Sequence, residues 1–286
     1  MNEIREKCPV VYCVVVAALG VAGMALVDWL WTAGVNAGLL AGIDASIPQL
    51  GISLVKFAPF VLALALLHAT GHTFLLRRTS NFARGLTCGA FLICFAAFMI
   101  FAGVNRALEG EATMPTLPVA AAFIVNYLLV GLGEETLGRA VMAQTLLERF
   151  GLTRRGLLAA CGLSGVIFGL MHLVNLAFAP ATSVIAQVVS AAFAGILLAA
   201  IYFRCGNIWV TVLVHALYDM GGSVASLFNV ASTAAPVGED VAQAVALVMP
   251  MLFGVLLGCI ALFLLRKSKL PQIAETWGSV VDAPAC

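Results

Sequence analysis

Apolar residues run nearly unbroken for about twenty positions at a time along this chain, and short polar connections separate the runs. A helix crossing the hydrocarbon of a bilayer needs roughly 20 apolar residues. Eight stretches meet that requirement, at 9–30, 50–70, 86–105, 117–137, 157–177, 182–203, 207–228 and 243–265. The fold class expected is all-α, a polytopic membrane bundle of about eight transmembrane helices. The fourth stretch runs on toward Phe150, too long for one straight crossing, so its second half is expected to bend or to lie at the interface. Arg5 and Lys7 precede the first run as they would in a signal peptide. That run continues toward Leu40, broken only by Asp28 and without a clear cleavage site, so it reads as a retained span. Small residues four apart, such as Gly165 and Gly169, suit close helix packing. The tail after Lys269 is short and expected to fray.

The basic residues mark alternate connections. Arg5 and Lys7 precede the first span, and Arg77, Arg78 and Arg84 follow the second. Arg149, Arg154 and Arg155 follow the fourth, Arg204 the sixth, and Arg266, Lys267 and Lys269 the eighth. The intervening connections carry Asp44, then Arg106 with Glu109 and Glu111, then Glu239 and Asp240. Under the positive-inside rule both termini are expected to be cytoplasmic. Lys56 departs from the pattern and is expected to snorkel to the outer interface.

Composition agrees with this reading. Of 286 residues, 62% are hydrophobic and 10% charged, where a soluble domain carries about a quarter charged. The net charge of +1 and the lack of a basic tract speak against a nucleic-acid partner. The expected partners are the lipid bilayer and a membrane-associated peptide or protein. Eight cysteines, most of them inside apolar runs, read as small buried hydrophobes and not as disulfides or zinc ligands. Cys286 is the last residue and so does not form a prenylation box. Three regions are expected: 1–114 with three spans, 115–228 with the chemistry, and 229–286 with the last span and a short tail.

Charge inside the hydrocarbon is costly, roughly 2.5–3.5 kcal/mol per residue on insertion scales, so it is placed for function or paired for structure. Four positions stand out. Glu134 and Glu135 lie about 100° apart around a helix, and Glu135 precedes Arg139 by four, the favoured order for an ion pair. Glu135 is thus the structural partner and Glu134 the freer carboxylate, although the cluster could equally be one self-satisfied ion-pair network. Phe168 and His172 share a face of the fifth span, and His215 and Asp219 share a face of the seventh. His68 and His72 are also four apart, but they adjoin a basic loop, where a solvated interfacial role is expected. Counted from the basic ends of their spans, Glu134, His172 and His215 lie on the order of 22, 25 and 16 Å deep, overlapping layers of the membrane.

A carboxylate beside an imidazole can take a proton from water and make a nucleophile. A second imidazole with a hydrogen-bonding group can hold the oxyanion formed on an attacked carbonyl. Neither serine nor cysteine stands beside a histidine here, which argues against an acyl-enzyme. Two histidines and a glutamate also make a zinc-type ligand set, and spacing does not separate the two versions. A proton-coupled transporter would use buried acids and histidines too, but no inverted repeat accompanies them.

Glu-Glu-x-x-x-Arg at 134–139, Phe-x-x-x-His at 168–172 and His-x-x-x-Asp at 215–219 follow one another in order. The ordered trio resembles the prokaryotic CPBP family of intramembrane proteases, related to type II CAAX prenyl endopeptidases and to bacteriocin self-immunity proteins. The resemblance spans roughly residues 115–228. It implies an intramembrane endopeptidase with Glu134 and His172 activating water, Glu135 and Arg139 in support, and Phe168 one turn before the histidine. It further implies an oxyanion site at His215 and position 219. Asp219 departs from the asparagine usual there. It must either be protonated by apolar surroundings or orient His215 instead. The resemblance permits zinc, but the metal-free glutamate version is the expectation. A non-proteolytic membrane scaffold or immunity protein of the same fold is the alternative.

Overall fold

The computed structural model describes residues 2–39, 49–110, 112–228 and 239–281; Asp44, Glu111 and Cys286 lie outside the described residues. Among the described residues all regular structure is helical. A short α1 (Asn2–Lys7) leads into α2 (Pro9–Asn36), followed by α3 (Gln49–Ala69), α4 (Phe82–Leu108) and α5 (Leu117–Glu135). α5 passes through a π-helical stretch, Thr136–Ala143, into α6 (Gln144–Phe150). Then come α7 (Arg154–Met171), a 3-10 turn His172–Ala177, α8 (Ala181–Cys205), α9 (Ile208–Leu227), α10 (Glu239–Leu264) and α11 (Leu270–Val281). Among the described residues seven helices are long and apolar enough to cross a membrane, and Leu54–Ala69 of α3 adds a shorter apolar helix. The chain is therefore an all-α polytopic membrane bundle.

Local chemistry sets the helix ends. Pro9 starts α2, where its missing N–H costs nothing. Thr153 caps α7 by accepting from Gly156 N at 3.1 Å. Between α8 and α9 the chain turns in two residues. Gly206 closes α8 at φ 68°, and Asn207 opens α9 by accepting from Trp209 N at 3.0 Å. Asn207 also donates to Ser80 O at 3.0 Å, and Asn81 donates to Cys205 O at 3.2 Å, tying this hairpin to the loop before α4.

α8 lies between α7 and α10, α9 packs on α4 and α5, and α3 bridges α2 and α5. Gly165 and Gly169 let α7 approach α8 closely, since a Cβ on either would fall 2.7 or 2.6 Å from the carbonyl oxygen of Ala192 or Val188. The C-terminal third of α8, from Leu197 to Phe203, is buried in the core.

The fourth span passes through the π-helical stretch Thr136–Ala143, and its second half packs within the bundle. The run Leu117–Phe150 continues for 34 residues, roughly 50 Å at 1.5 Å per residue, and Leu137, Val141, Met142, Leu146 and Leu147 bury it among neighbouring helices. The tail is docked, not frayed. Leu270, Ile273, Trp277 and Val281 repeat at helical spacing, and Trp277 is fully buried with its Nε1 donating to Phe203 O at 2.9 Å. Arg78 lies 4.7 Å over the Trp277 ring and donates to Thr276 O at 2.6 Å. His72 is engaged, while His68 is exposed. His72 contacts Glu148 through Nε2 at 2.9 Å and Thr70 O through Nδ1 at 2.7 Å; Arg5 pairs with the same Glu148, and Gln144 donates to it at 3.1 Å. This partly buried carboxylate gathers donors from three elements. Finally, Cys13, Cys161 and Cys205 are buried as expected, whereas Cys94 and Cys259 lie on the outside of the bundle.

Candidate active site

Glu134 and Glu135 are the last residues of α5, directly before the π stretch. Short π segments recur at functional sites because they shift the phase of a helix locally. Here Arg139 folds back on Glu135, donating through Nε to Oε2 and through Nη2 to Oε1, both at 2.9 Å. Both side chains are fully buried. Glu135 Oε1 also receives His215 Nδ1 at 2.8 Å. A carboxylate only accepts, so Nδ1 of His215 carries a proton. Glu135 is thus fully spent on holding Arg139 and His215.

Glu134 faces a cavity of about 490 Å³ and makes no comparably close contact. Lys56 Nζ lies 3.8 Å from its Oε1, and His215 Nε2 lies 3.9 Å from its Oε2. His215 Nε2 is 3.4 Å from Asp219 Oδ2, so Asp219 stands on the far side of the ring from Glu135. Phe168 wedges between the imidazoles. Its ring meets His172 edge-on at 5.3 Å and His215 at 6.0 Å, and the Arg139 guanidinium sits 5.0 Å over it. His172, where α7 tightens into the 3-10 turn, directs Nδ1 to Phe168 O at 3.2 Å, which leaves Nε2 as its lone-pair nitrogen.

Glu134, Phe168, His172, His215 and Asp219 all line this one cavity, while Glu135 and Arg139 lie behind it. The approach of the helices is fixed by glycine. A Cβ on Gly131 would fall 2.6 Å from Val212 O of α9, and one on Gly133 would fall 2.5 Å from Lys56 O of α3. The sequence reading missed Lys56, Asn126, Asn175 and Gln187, which also line the cavity. Lys56 lines the cavity with its ammonium toward Glu134. Its signal was legible as a lone charge in an apolar span that broke the basic pattern. The amides carry no charge, and a ranking by charge passes over them.

A resident zinc does not fit the residues as placed. Among the described residues no three His, Cys, Asp or Glu side chains are grouped as a ligand set. An ammonium also adjoins Glu134.

Fold and cavity together define a multi-pass membrane protein with a cluster of ionisable groups enclosed by its helices. Residues 116–221 match the family described as type II CAAX prenyl endopeptidase Rce1-like, and all three motifs fall within the match. The match supports a CPBP-family intramembrane protease and a CAAX-type protease kind of function. No curated protein and no solved structure matches the chain.

Proposed function

We propose that the chain is an intramembrane endopeptidase in which Glu134 and His172 activate a water for attack on a peptide carbonyl. The observation that carries the reading is that the two adjacent glutamates have opposite fates. Glu135 is saturated by Arg139 and His215, while Glu134 stands open on a cavity shared with His172, His215 and Asp219. In the reaction, water oxygen adds to the carbonyl carbon and its proton passes to Glu134. The carbonyl π pair moves to oxygen. Collapse re-forms the carbonyl, breaks the C–N bond and returns the proton from Glu134 to the leaving amine. His215, held in register by Glu135 and Asp219, lies beside the developing oxyanion. The mechanism needs no metal. The substrate is a membrane-associated peptide or protein, not a nucleic acid, reached from the cytoplasmic half of a plasma membrane, with both chain termini on that side.

Mass spectrometry of membrane peptides from cells expressing wild type or Glu134→Gln tests this and names the substrate at once. New peptide termini present with wild type and absent with the variant are expected. Identical termini, with the variant folded and inserted, would sink the hydrolase. A phenotype that Glu134→Gln still confers would point to a binding protein of the same fold.

A further inference from the structure

Lys56 is the one lysine or arginine lining the cavity among the described residues. A lysine on an apolar helix of a membrane bundle is expensive unless it has a task or a tight partner. Its partner is not tight. At 3.8 Å from Glu134 Oε1 the contact is an ion pair outside hydrogen-bonding range, and a third of the side chain (33%) remains exposed. The position is not accidental either, since the Lys56 carbonyl is the atom that Gly133 is kept bare to admit. α3 is therefore held against α5 at the residue preceding Glu134.

Besides Lys56, the donors lining the cavity are neutral, the amides of Asn126, Asn175 and Gln187 and the hydroxyls of Tyr127 and Tyr218 among them. Asp219, as a carboxylate, only accepts hydrogen bonds. His215 spends Nδ1 on Glu135, and its Nε2 faces two carboxylates, Asp219 at 3.4 Å and Glu134 at 3.9 Å. An oxyanion forming beside Glu134 would share the cavity with two carboxylates, Glu134 and Asp219, and a cation there offsets their charge. The ammonium opposite has three N–H donors and no acceptor.

We propose that Lys56 is a catalytic residue whose ammonium donates a hydrogen bond to the oxyanion formed when water adds to the scissile carbonyl. This rests on the peptidase reading above. Lys56 stays an ammonium throughout: Glu134 carries the proton taken from water, and Lys56 neutralises charge as the carbonyl π pair moves onto oxygen. The departure at position 219 and the intrusion at position 56 are then two halves of one exchange, a neutral amide donor given up and a cation supplied from another helix.

The test is a double-mutant cycle on the full chain reconstituted in liposomes with membrane-protein extract from the expression host. It follows the initial rate of new peptide termini that depend on Glu134. Lys56→Met is expected to slow their appearance on the order of 10²- to 10³-fold, the cost of removing one oxyanion donor. Lys56→Arg should retain most of the rate. Asp219→Asn in the Lys56→Met background should recover at least tenfold, because the amide restores a donor near the same oxygen. A lysine serving only to hold the helices together would show no such recovery. Full activity in a folded Lys56→Met protein overturns the assignment, and so does a double variant no faster than Lys56→Met alone. Peptide termini unchanged between wild type and Glu134→Gln would instead remove the peptidase reading, and this proposal with it.

Discussion

The contact between Gly133 and Lys56 O can be turned into a measurement. In Gly133→Ala the new Cβ would begin 2.5 Å from that backbone oxygen, with Pro59 Cβ and Phe60 N next at 3.5 and 3.6 Å. A close carbon–oxygen contact settles at roughly 3.3–3.6 Å, so α3 and α5 must part by about 1 Å. The obstacle is backbone, and no rotamer change relieves it. Overpacking of this kind costs about 1–3 kcal/mol, while replacing a helical glycine by alanine returns about 0.5–1 kcal/mol. The net loss of stability is then roughly 0–2.5 kcal/mol, small enough for a folded protein. Activity should suffer far more, because about 1 Å of misplacement at a reacting centre can cost on the order of 100-fold. Gly162→Ala is the control, on a helix of the same core but with nothing within 4 Å of its added Cβ. Thermal melts in detergent, set beside cleavage rates in liposomes, separate the two effects. The expected pattern is a stable, active Gly162→Ala and a folded but nearly inactive Gly133→Ala. A Gly133→Ala protein cleaving at the wild-type rate would refute the claim that this helix contact sets the site.

Removing one partner of the buried pair should be costly in a different way. Glu135→Ala leaves the Arg139 guanidinium buried without its counter-ion, and a loss of about 3–5 kcal/mol is expected, against about 1 kcal/mol or less for Glu134→Gln, whose carboxylate makes no close contact. Denaturant melts in detergent decide it, and equal losses for the two would contradict the division of roles. Trp277→Ala removes the fully buried anchor of α11 and should cost about 3–5 kcal/mol locally. The readout is limited proteolysis, with cleavage after Lys267 or Lys269 expected in the variant and resisted by wild type.

Much of this architecture can be read from residue pattern because the solvent is lipid. Every apolar run must be helical to satisfy its own backbone, so length and hydropathy locate the spans with little help from tertiary structure. The same logic flags Glu134, Glu135, His172, His215 and Asp219, since an ionisable group in hydrocarbon needs a partner or a purpose. What the pattern does not carry is contact between distant segments. Lys56 belongs to the cavity only because Gly133 admits its backbone, and the tail docks only because the carbonyl of Phe203 and the guanidinium of Arg78 await Trp277 and its neighbour. His72 looked solvated beside its basic loop because Glu148, its partner, lies 76 residues on.

The pair Glu134–Glu135 shows why adjacency in sequence says little about fate in a membrane. Glu135 has an arginine four residues on, and the π stretch lets that arginine close a bidentate contact from the same chain segment. The alternative of a single self-satisfied network therefore describes one glutamate of the two. Glu134, one residue earlier, has no such neighbour on its own helix and must draw its positive environment from α3 and α9, through Lys56 and His215. Neither group comes within hydrogen-bonding distance of it, so its charge is balanced without being quenched. A carboxylate in that condition faces the cavity with its charge offset by groups on two other helices. It keeps its lone pairs for whatever enters the cavity, which is what a base for water requires.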